Sequence, residues 1–364
     1  MNIRFIDNIK RKYADYKAMS ASEKRNYWKE WLISYSLYIF LIIAIIGIAI
    51  YKPSFIAPRS LINMLSLTAA NLPIALGIAG TIVLTGTDLS AGRVVGLTAC
   101  MSAALLQAAD YPSKMFPGIP QLHPAIMIAG TLVIVMIVGA VIGLVNGFSV
   151  AKFGLHPFIV TLATQLITYG VLLLFTNMNG NSGAPISGLS EPFKQFVNGS
   201  VVKIGKDQIP IPNFVWYALV LTIVMWFIWN KTRFGKNMFA CGSNPEAANV
   251  SGVNVAKNTM MVFILAGIMY SITGFIEAAR IGSNSPSTGQ NYELDAIAAC
   301  VIGGVSFVGG IGSIGGIIVG VLLLRIIFVG LTVLSVSANW QYIIKGLIIL
   351  IACAIDMRKY LARK

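Results

Sequence analysis

Leu32-Ile-Ser-Tyr-Ser-Leu-Tyr-Ile-Phe-Leu-Ile-Ile-Ala-Ile-Ile-Gly-Ile-Ala-Ile-Tyr51 runs without a single charge. At about 1.5 Å of helical rise per residue, such a run covers roughly the 30 Å hydrocarbon core of a bilayer. It is the clearest of ten apolar runs. The others lie at about 61–84, 90–109, 125–148, 158–176, 214–230, 259–278, 296–311, 313–331 and 340–356. Prolines at 53 and 58, at 112, 117, 120 and 124, at 157, at 210 and 212, and at 286 separate several of them, as expected where helices stop. The expected fold is all-α: a polytopic transmembrane helical bundle over 32–356. Ten spans are expected, with eight as the alternative, because the runs at 296–311 and 313–331 are short and Gly-rich.

Composition agrees. The chain has 364 residues, 56% hydrophobic and 11% charged, whereas a soluble domain carries about 25% charged residues. So few charges do not cover a water-facing surface of this size. The net charge of +14 does not indicate nucleic acid, because the basic residues gather at the ends of apolar runs and form no face or tail. Cys100, Cys241, Cys300 and Cys353 are scattered and read as small buried hydrophobes rather than disulfide or metal partners. The first thirty residues, charged and aromatic, do not read as a cleavable signal.

Seventeen of the 27 Lys and Arg fall in 1–31, at Lys152, in 231–258 and in 357–364. If these segments share one face, that face is cytoplasmic by the positive-inside bias, with both termini inside. The arm 1–31 is amphipathic: Ser20 to Trp31 predicts a short interfacial helix, with Tyr27, Trp28 and Trp31 at headgroup depth. The longest loop on the other face is 177–213, and 357–364 is a cytoplasmic tail.

Two stretches interrupt apolar sequence with glycine and serine. One is Leu84-Thr-Gly-Thr-Asp-Leu-Ser-Ala-Gly-Arg93; the other is Gly303-Gly-Val-Ser-Phe-Val-Gly-Gly-Ile-Gly-Ser-Ile-Gly-Gly316. Irregular backbone survives at membrane depth only when buried in protein or lining a cavity. Gly86, Asp88, Ser90, Gly92, Gly303, Gly304, Gly309 and Gly310 are therefore candidates for lining or flexing a pathway. Asp88 also suits a helix start, where it complements the exposed N–H groups, with Arg93 near enough to pair. Glycines at four-residue spacing, Gly139, Gly143 and Gly147, then Gly312, Gly316 and Gly320, predict close helix packing, within the chain or at a dimer or pathway seam.

The basic loop at 231–258 contains Gly242-Ser-Asn-Pro-Glu-Ala-Ala248. Asn244 is a capping residue, Pro245 suits the first helical position, and Gly252 ends the short helix. Such a helix slung between two spans serves equally as a connector or as a grip for a partner. Chemistry-bearing motifs are missing: there is no phosphate loop for ATP hydrolysis and no H-E-x-x-H. His123 and His156 each stand beside a proline at a span end. The spans carry no run of buried Asp, Glu or His of the kind a proton relay needs. A membrane enzyme and an ion-coupled transporter are both disfavoured.

Gly86 to Gly92, Thr232 to Asn237, Gly242 to Ala248, Ser251 to Val255, Tyr292-Glu-Leu-Asp-Ala-Ile-Ala-Ala299 and Trp340-Gln-Tyr-Ile-Ile-Lys-Gly346 together resemble the permeases of bacterial ATP-binding cassette sugar importers. This family includes ribose and xylose permeases. The likeness covers nearly the whole chain and is greatest towards the galactose/methyl-galactoside branch. It implies a multi-pass inner-membrane subunit that makes and breaks no bond and needs no cofactor or metal. It also implies a second permease copy in the bilayer, a periplasmic or surface sugar-binding protein and a cytoplasmic ATP-binding subunit. The family's coupling loop falls on Gly242, Asn244, Pro245, Glu246, Ala247 and Ala248. Ribose, xylose or another sugar is the alternative cargo, and a stand-alone secondary transporter the more distant alternative.

Overall fold

A computed structural model describes residues 20–361 apart from Gln121, Lys206 and Asp207; most of the arm 1–31 and the end of the tail 357–364 lie outside the described residues. The helices are α1 (Ala21–Tyr51), α2 (Pro58–Val83), α3 (Ala91–Leu105), α4 (Pro124–Phe153), α5 (Pro157–Thr176), α6 (Glu191–Asn198), α7 (Asn213–Lys231), α8 (Arg233–Ser243), α9 (Pro245–Val250), α10 (Val255–Ile281), α11 (Tyr292–Ile302), α12 (Ile314–Val333) and α13 (Ala338–Leu361). Strands β1 (Val202–Ile204) and β2 (Ile209–Ile211) form one antiparallel hairpin. The protein is an all-α, polytopic helical membrane protein. Among the described residues, seven helices, α2, α4, α5, α7, α10, α12 and α13, are long and apolar enough to cross a bilayer.

Local chemistry sets the helix starts. A capping box between Ser20 and Glu23 opens α1, and the Ser20 N–H holds the Glu23 carboxyl below its usual range. The helix then runs unbroken to Tyr51, so the expected short interfacial helix and the first span are one element; no glycine or proline separates them. His123 and His156 accept from the N–H groups of Ala125 and Phe158 through Nδ1, ahead of Pro124 and Pro157 at the first helical positions. Both histidines are helix caps.

The long helix α10 is the axis of the bundle, packed on α4, α3 and α2. A Cβ added at Gly143 or Gly267 would run into the backbone of the facing helix, and one at Gly147 would come within 2.8 Å of Met260 Cα. The second glycine series does the same within the chain: Gly316 faces Gly303 and Gly320 faces Ala299, seating α12 on α11. Both series are packing seams inside one chain.

Two expectations need correction. The run 296–311 is helical only to Ile302; Gly303 ends α11, Gly304 takes a φ of +83°, and an irregular stretch leads to Ser313, which caps α12. The segment between α10 and α11 is not a simple surface loop. Asn284 is fully buried and Thr288 nearly so. The Cys100 thiol of α3 donates to the Ser285 carbonyl, and Thr288 and Gly289 lie against Gly96 and Gly92 of α3. This segment re-enters the bundle beside α3, so α11 starts deep. Glu293 and Asp295 are thereby drawn inside, 5% and 8% exposed, and Asp88 and Glu277 are buried as well. The expectation that the spans hold no series of buried acids is thus overturned. Asp88, Glu293 and Asp295 flank apolar runs in sequence, Glu277 lies near the end of the run 259–278, and the re-entrant backbone carries Glu293 and Asp295 to depth.

The loop 177–213 is built rather than loose. Asn198 donates to the Ala279 carbonyl at 2.7 Å and Phe193 packs on Phe275 with ring centroids 5.0 Å apart. With the β-hairpin it covers the end of the bundle opposite α8 and α9.

Candidate functional site

At the α8–α9 end, three segments meet on bare backbone. α2 ends at Val83, and the break that follows turns back at Thr85, whose φ is +59°. From the second break the Gly310 N–H donates to the Val83 carbonyl at 2.8 Å. The left-handed conformations of Gly309 and Gly310, φ +90° and +67°, make that approach possible without a side-chain penalty. The third segment is the end of α8. A Cβ at Gly242 would strike the Val83 carbonyl and lie 2.8 Å from the Gly310 N; Gly309 sits against the Gly242 carbonyl and the Thr85 side chain, and Gly310 against Ser243. Gly312 completes the plug against Val83 and Val305.

From that junction the chain leads directly to an exposed helix. The Asn244 side chain accepts from the Ala247 N–H at 2.9 Å, Pro245 is at the first helical position and Glu246 is in the first turn, where its charge suits the helix dipole. Gly252, at φ +83°, ends the turn. Asn244, Pro245, Glu246, Ala247 and Asn249 are exposed and Val250 is 90% exposed, whereas Gly242 and Ala248 are buried. The coupling residues named from sequence therefore divide. Gly242 and Ala248 anchor the element and the rest present a surface. A cavity of about 770 Å³ lies between α9 and the ends of α4 and α10, lined by Val150, Ala151, Glu246, Asn249 and Asn254 among others. Within α8, Cys241 is buried, and burial pushes its thiol pKa up.

The first break continues into a polar cluster. Asp88 is 1% exposed and accepts from the Ser90 N–H at 2.9 Å, the Ser90 hydroxyl at 2.6 Å and the Tyr270 hydroxyl at 3.2 Å. Asn146 of α4 donates to Ser90 Oγ at 3.0 Å. Thr161 of α5 accepts from the Leu89 N–H and donates to the Thr87 carbonyl. The break is thus held by α4, α5 and α10 together. Arg93 turns elsewhere, donating to the Pro286 carbonyl and lying over the Tyr169 ring at 4.2 Å; its expected pairing with Asp88 is not formed among the described residues.

The sequence candidates accordingly sort into groups. Gly242, Gly309 and Gly310 meet at the junction. Asp88 and Ser90 belong to the polar cluster beside it. Gly86 lies against Pro157, Gly92 against Gly289 and Glu293, and Gly303 against Gly316 in a helix seam, while Gly304 has open space around it. Val83, Ser243, Tyr270, Asn146 and Thr161 were not singled out from sequence. Each is an ordinary residue inside or beside a span, and only its partner distinguishes it.

The sequence profile described as "Branched-chain amino acid transport system / permease component" matches residues 60–353. The galactose/methyl galactoside import permease protein of Salmonella typhimurium is 46% identical over 346 residues, which cover 95% of this chain and 100% of that protein. Its Escherichia coli counterpart is 45% identical over the same span and coverage. The ribose import permease protein of Escherichia coli is 34% identical over 341 residues, 93% of this chain and 98% of that protein. No solved structure gives a significant match.

Proposed function

The chain belongs to the family of branched-chain amino acid transport system permease components, and on that premise we propose that it is the membrane-spanning permease of an ATP-driven importer of galactose and methyl galactoside. End-to-end identity to import permeases named for those sugars supports the cargo. The complex contains a second copy of this chain, a sugar-binding protein on the outer side and an ATPase on the inner side. The α8–α9 end faces the cytoplasm, where most of the Lys and Arg lie. Counting α1 and the two short helices α3 and α11, the chain crosses ten times and both termini are cytoplasmic.

One observation carries the coupling mechanism: the end of α8 touches both helix breaks at once, through Gly242 on Val83 and Gly309 and through Ser243 on Gly310. The exposed face of α9, with Asn244, Pro245, Glu246 and Ala247, is the grip for the ATPase. Closing of the nucleotide domains moves α8 and α9 as a unit, because Asn244 joins them without a linker. Moving α8 relieves or tightens the contact on Val83 and Gly310. The Gly310 to Val83 hydrogen bond is the latch of an inner gate, and the pathway alternates as that latch forms and breaks. Asp88, Ser90, Gly86 and Gly92 hold the first break in register, while Gly303 and Gly304 let the second one bend.

The test is reconstitution of this permease with its ATPase and binding protein in proteoliposomes. Galactose uptake is expected to require ATP and the binding protein. Glu246→Lys or Pro245→Gly is expected to reduce co-purification of the ATPase and sugar-stimulated hydrolysis. Uptake by this chain alone, driven by an ion gradient, would refute the assignment, and uptake of ribose but not galactose would refute the cargo.

A further inference from the structure

A second polar site lies away from the gate, between α11, α12 and α13. Asp295 of α11 meets two cations: Lys345 Nζ at 2.5 Å and Arg325 Nη2 at 3.4 Å. Arg325 also donates to the Asn71 side chain of α2 at 2.6 Å. Phe328 and Tyr342 flank Lys345, their ring centroids 5.1 and 5.6 Å from its nitrogen. These groups are not packed solid. They line a cavity of about 210 Å³ together with Gln341 and Ala338. Arg325 stands eight residues short of Val333, so by helical rise it is about 12 Å below the end of α12, well within the membrane.

We propose that this cavity is a subsite for a neutral polyol, holding one sugar ring on its way through the permease; the proposal rests on the sugar-importer reading above. Three charges at this depth are costly, and a buried ion pair is often no more stabilising than apolar residues of the same volume, so fold stability is a poor reason to keep them. The donor and acceptor set fits hydroxyls: a carboxylate and a guanidinium each span two adjacent oxygens. The Arg325 Nε–H is buried without an acceptor among the described residues. Gln341 uses its Nε2 on the Val336 carbonyl, which leaves Oε1 as an acceptor. Phe328 and Tyr342 supply ring faces for the apolar C–H face of a sugar. The wall carries two cations to one carboxylate, and both cations are already engaged, Lys345 with Asp295 and Arg325 with Asp295 and Asn71, so they present directed N–H groups to hydroxyls. Tyr342, 59% exposed, and Ala338 lie near the start of α13, so the mouth opens towards the end opposite α8 and α9, the side from which a binding protein would release its sugar.

The experiment uses the complete importer in proteoliposomes with saturating binding protein. Tyr342→Ala and Phe328→Ala are each expected to lower the galactose import rate about tenfold, the effect of one lost contact of ~1.4 kcal/mol, with co-purification of the ATPase showing that the complex assembles. In a Tyr342→Cys variant, galactose-loaded binding protein is expected to slow labelling by a membrane-impermeant maleimide. Import at the wild-type rate in both alanine variants, with labelling indifferent to sugar, overturns the subsite. Should one variant fail to assemble, the other decides. Wild-type galactose import is read in the same vesicles. A wrong transport assignment shows there as no import at all, and a wrong subsite as import that ignores these changes.

Discussion

Gly242→Ala is the sharpest probe of the proposed latch. The added methyl would press on the Val83 carbonyl and sit 2.8 Å from the Gly310 nitrogen. Both obstacles are backbone, so no side chain can swing aside, and one of the three segments must give way. Overpacking of a well-filled site costs about 1–3 kcal/mol. If the clash exists only while the latch is closed, that sum shifts the closed-to-open ratio by about 5- to 150-fold. The assay is galactose efflux and sugar-independent ATP hydrolysis in proteoliposomes carrying the full complex. Both are expected to rise in the Gly242→Ala complex. Gly315→Ala is the matched control, because a Cβ there meets nothing within 4 Å, and it should leave both readouts at the wild-type level. Unchanged efflux and unchanged basal hydrolysis in Gly242→Ala, with normal assembly, would refute the idea that α8 closes the two breaks.

Four further outcomes are expected. Gly143→Ala should lower the thermal unfolding temperature in detergent, because its methyl meets the Phe263 backbone across the α4–α10 seam; the cost is about 1–3 kcal/mol. Removing the partners of the Glu277–Arg280 pair should have unequal effects. Arg280 is 27% exposed and can turn to water, but Glu277 is fully buried, so Arg280→Met should cost about 3–5 kcal/mol and Glu277→Gln clearly less, read as the order of unfolding temperatures. Cys241 should resist maleimide at neutral pH, since burial both shields its thiol and raises its pKa; labelling should speed up as pH rises, or when nucleotide turnover moves α8. Ser20→Ala should remove the side-chain half of the cap that begins α1, costing about 1 kcal/mol, and should show as fraying of the helix start by hydrogen exchange.

The chain order of the bundle was legible before any coordinate, because hydropathy is local: each apolar run between prolines reports its own solvent. The Gly/Ser interruptions at 84–93 and 303–316 could also be located, since glycine within an apolar run weakens a helix wherever it stands. The Asn244 cap, Pro245 and the Gly252 stop likewise follow from nearest-neighbour chemistry. None of this reveals which interruptions touch. That Val83, Gly242 and Gly310 meet depends on three segments brought together by α10 packing on α2, α3 and α4, and sequence separation conceals such contacts. The same holds for Arg325 and Lys345, visible as stray charges in or beside spans, whose common partner Asp295 reaches them only because the backbone after α10 re-enters the bundle. Solvent preference belongs to single residues and so was written in the sequence. Contact belongs to pairs, and only the tertiary structure decided it.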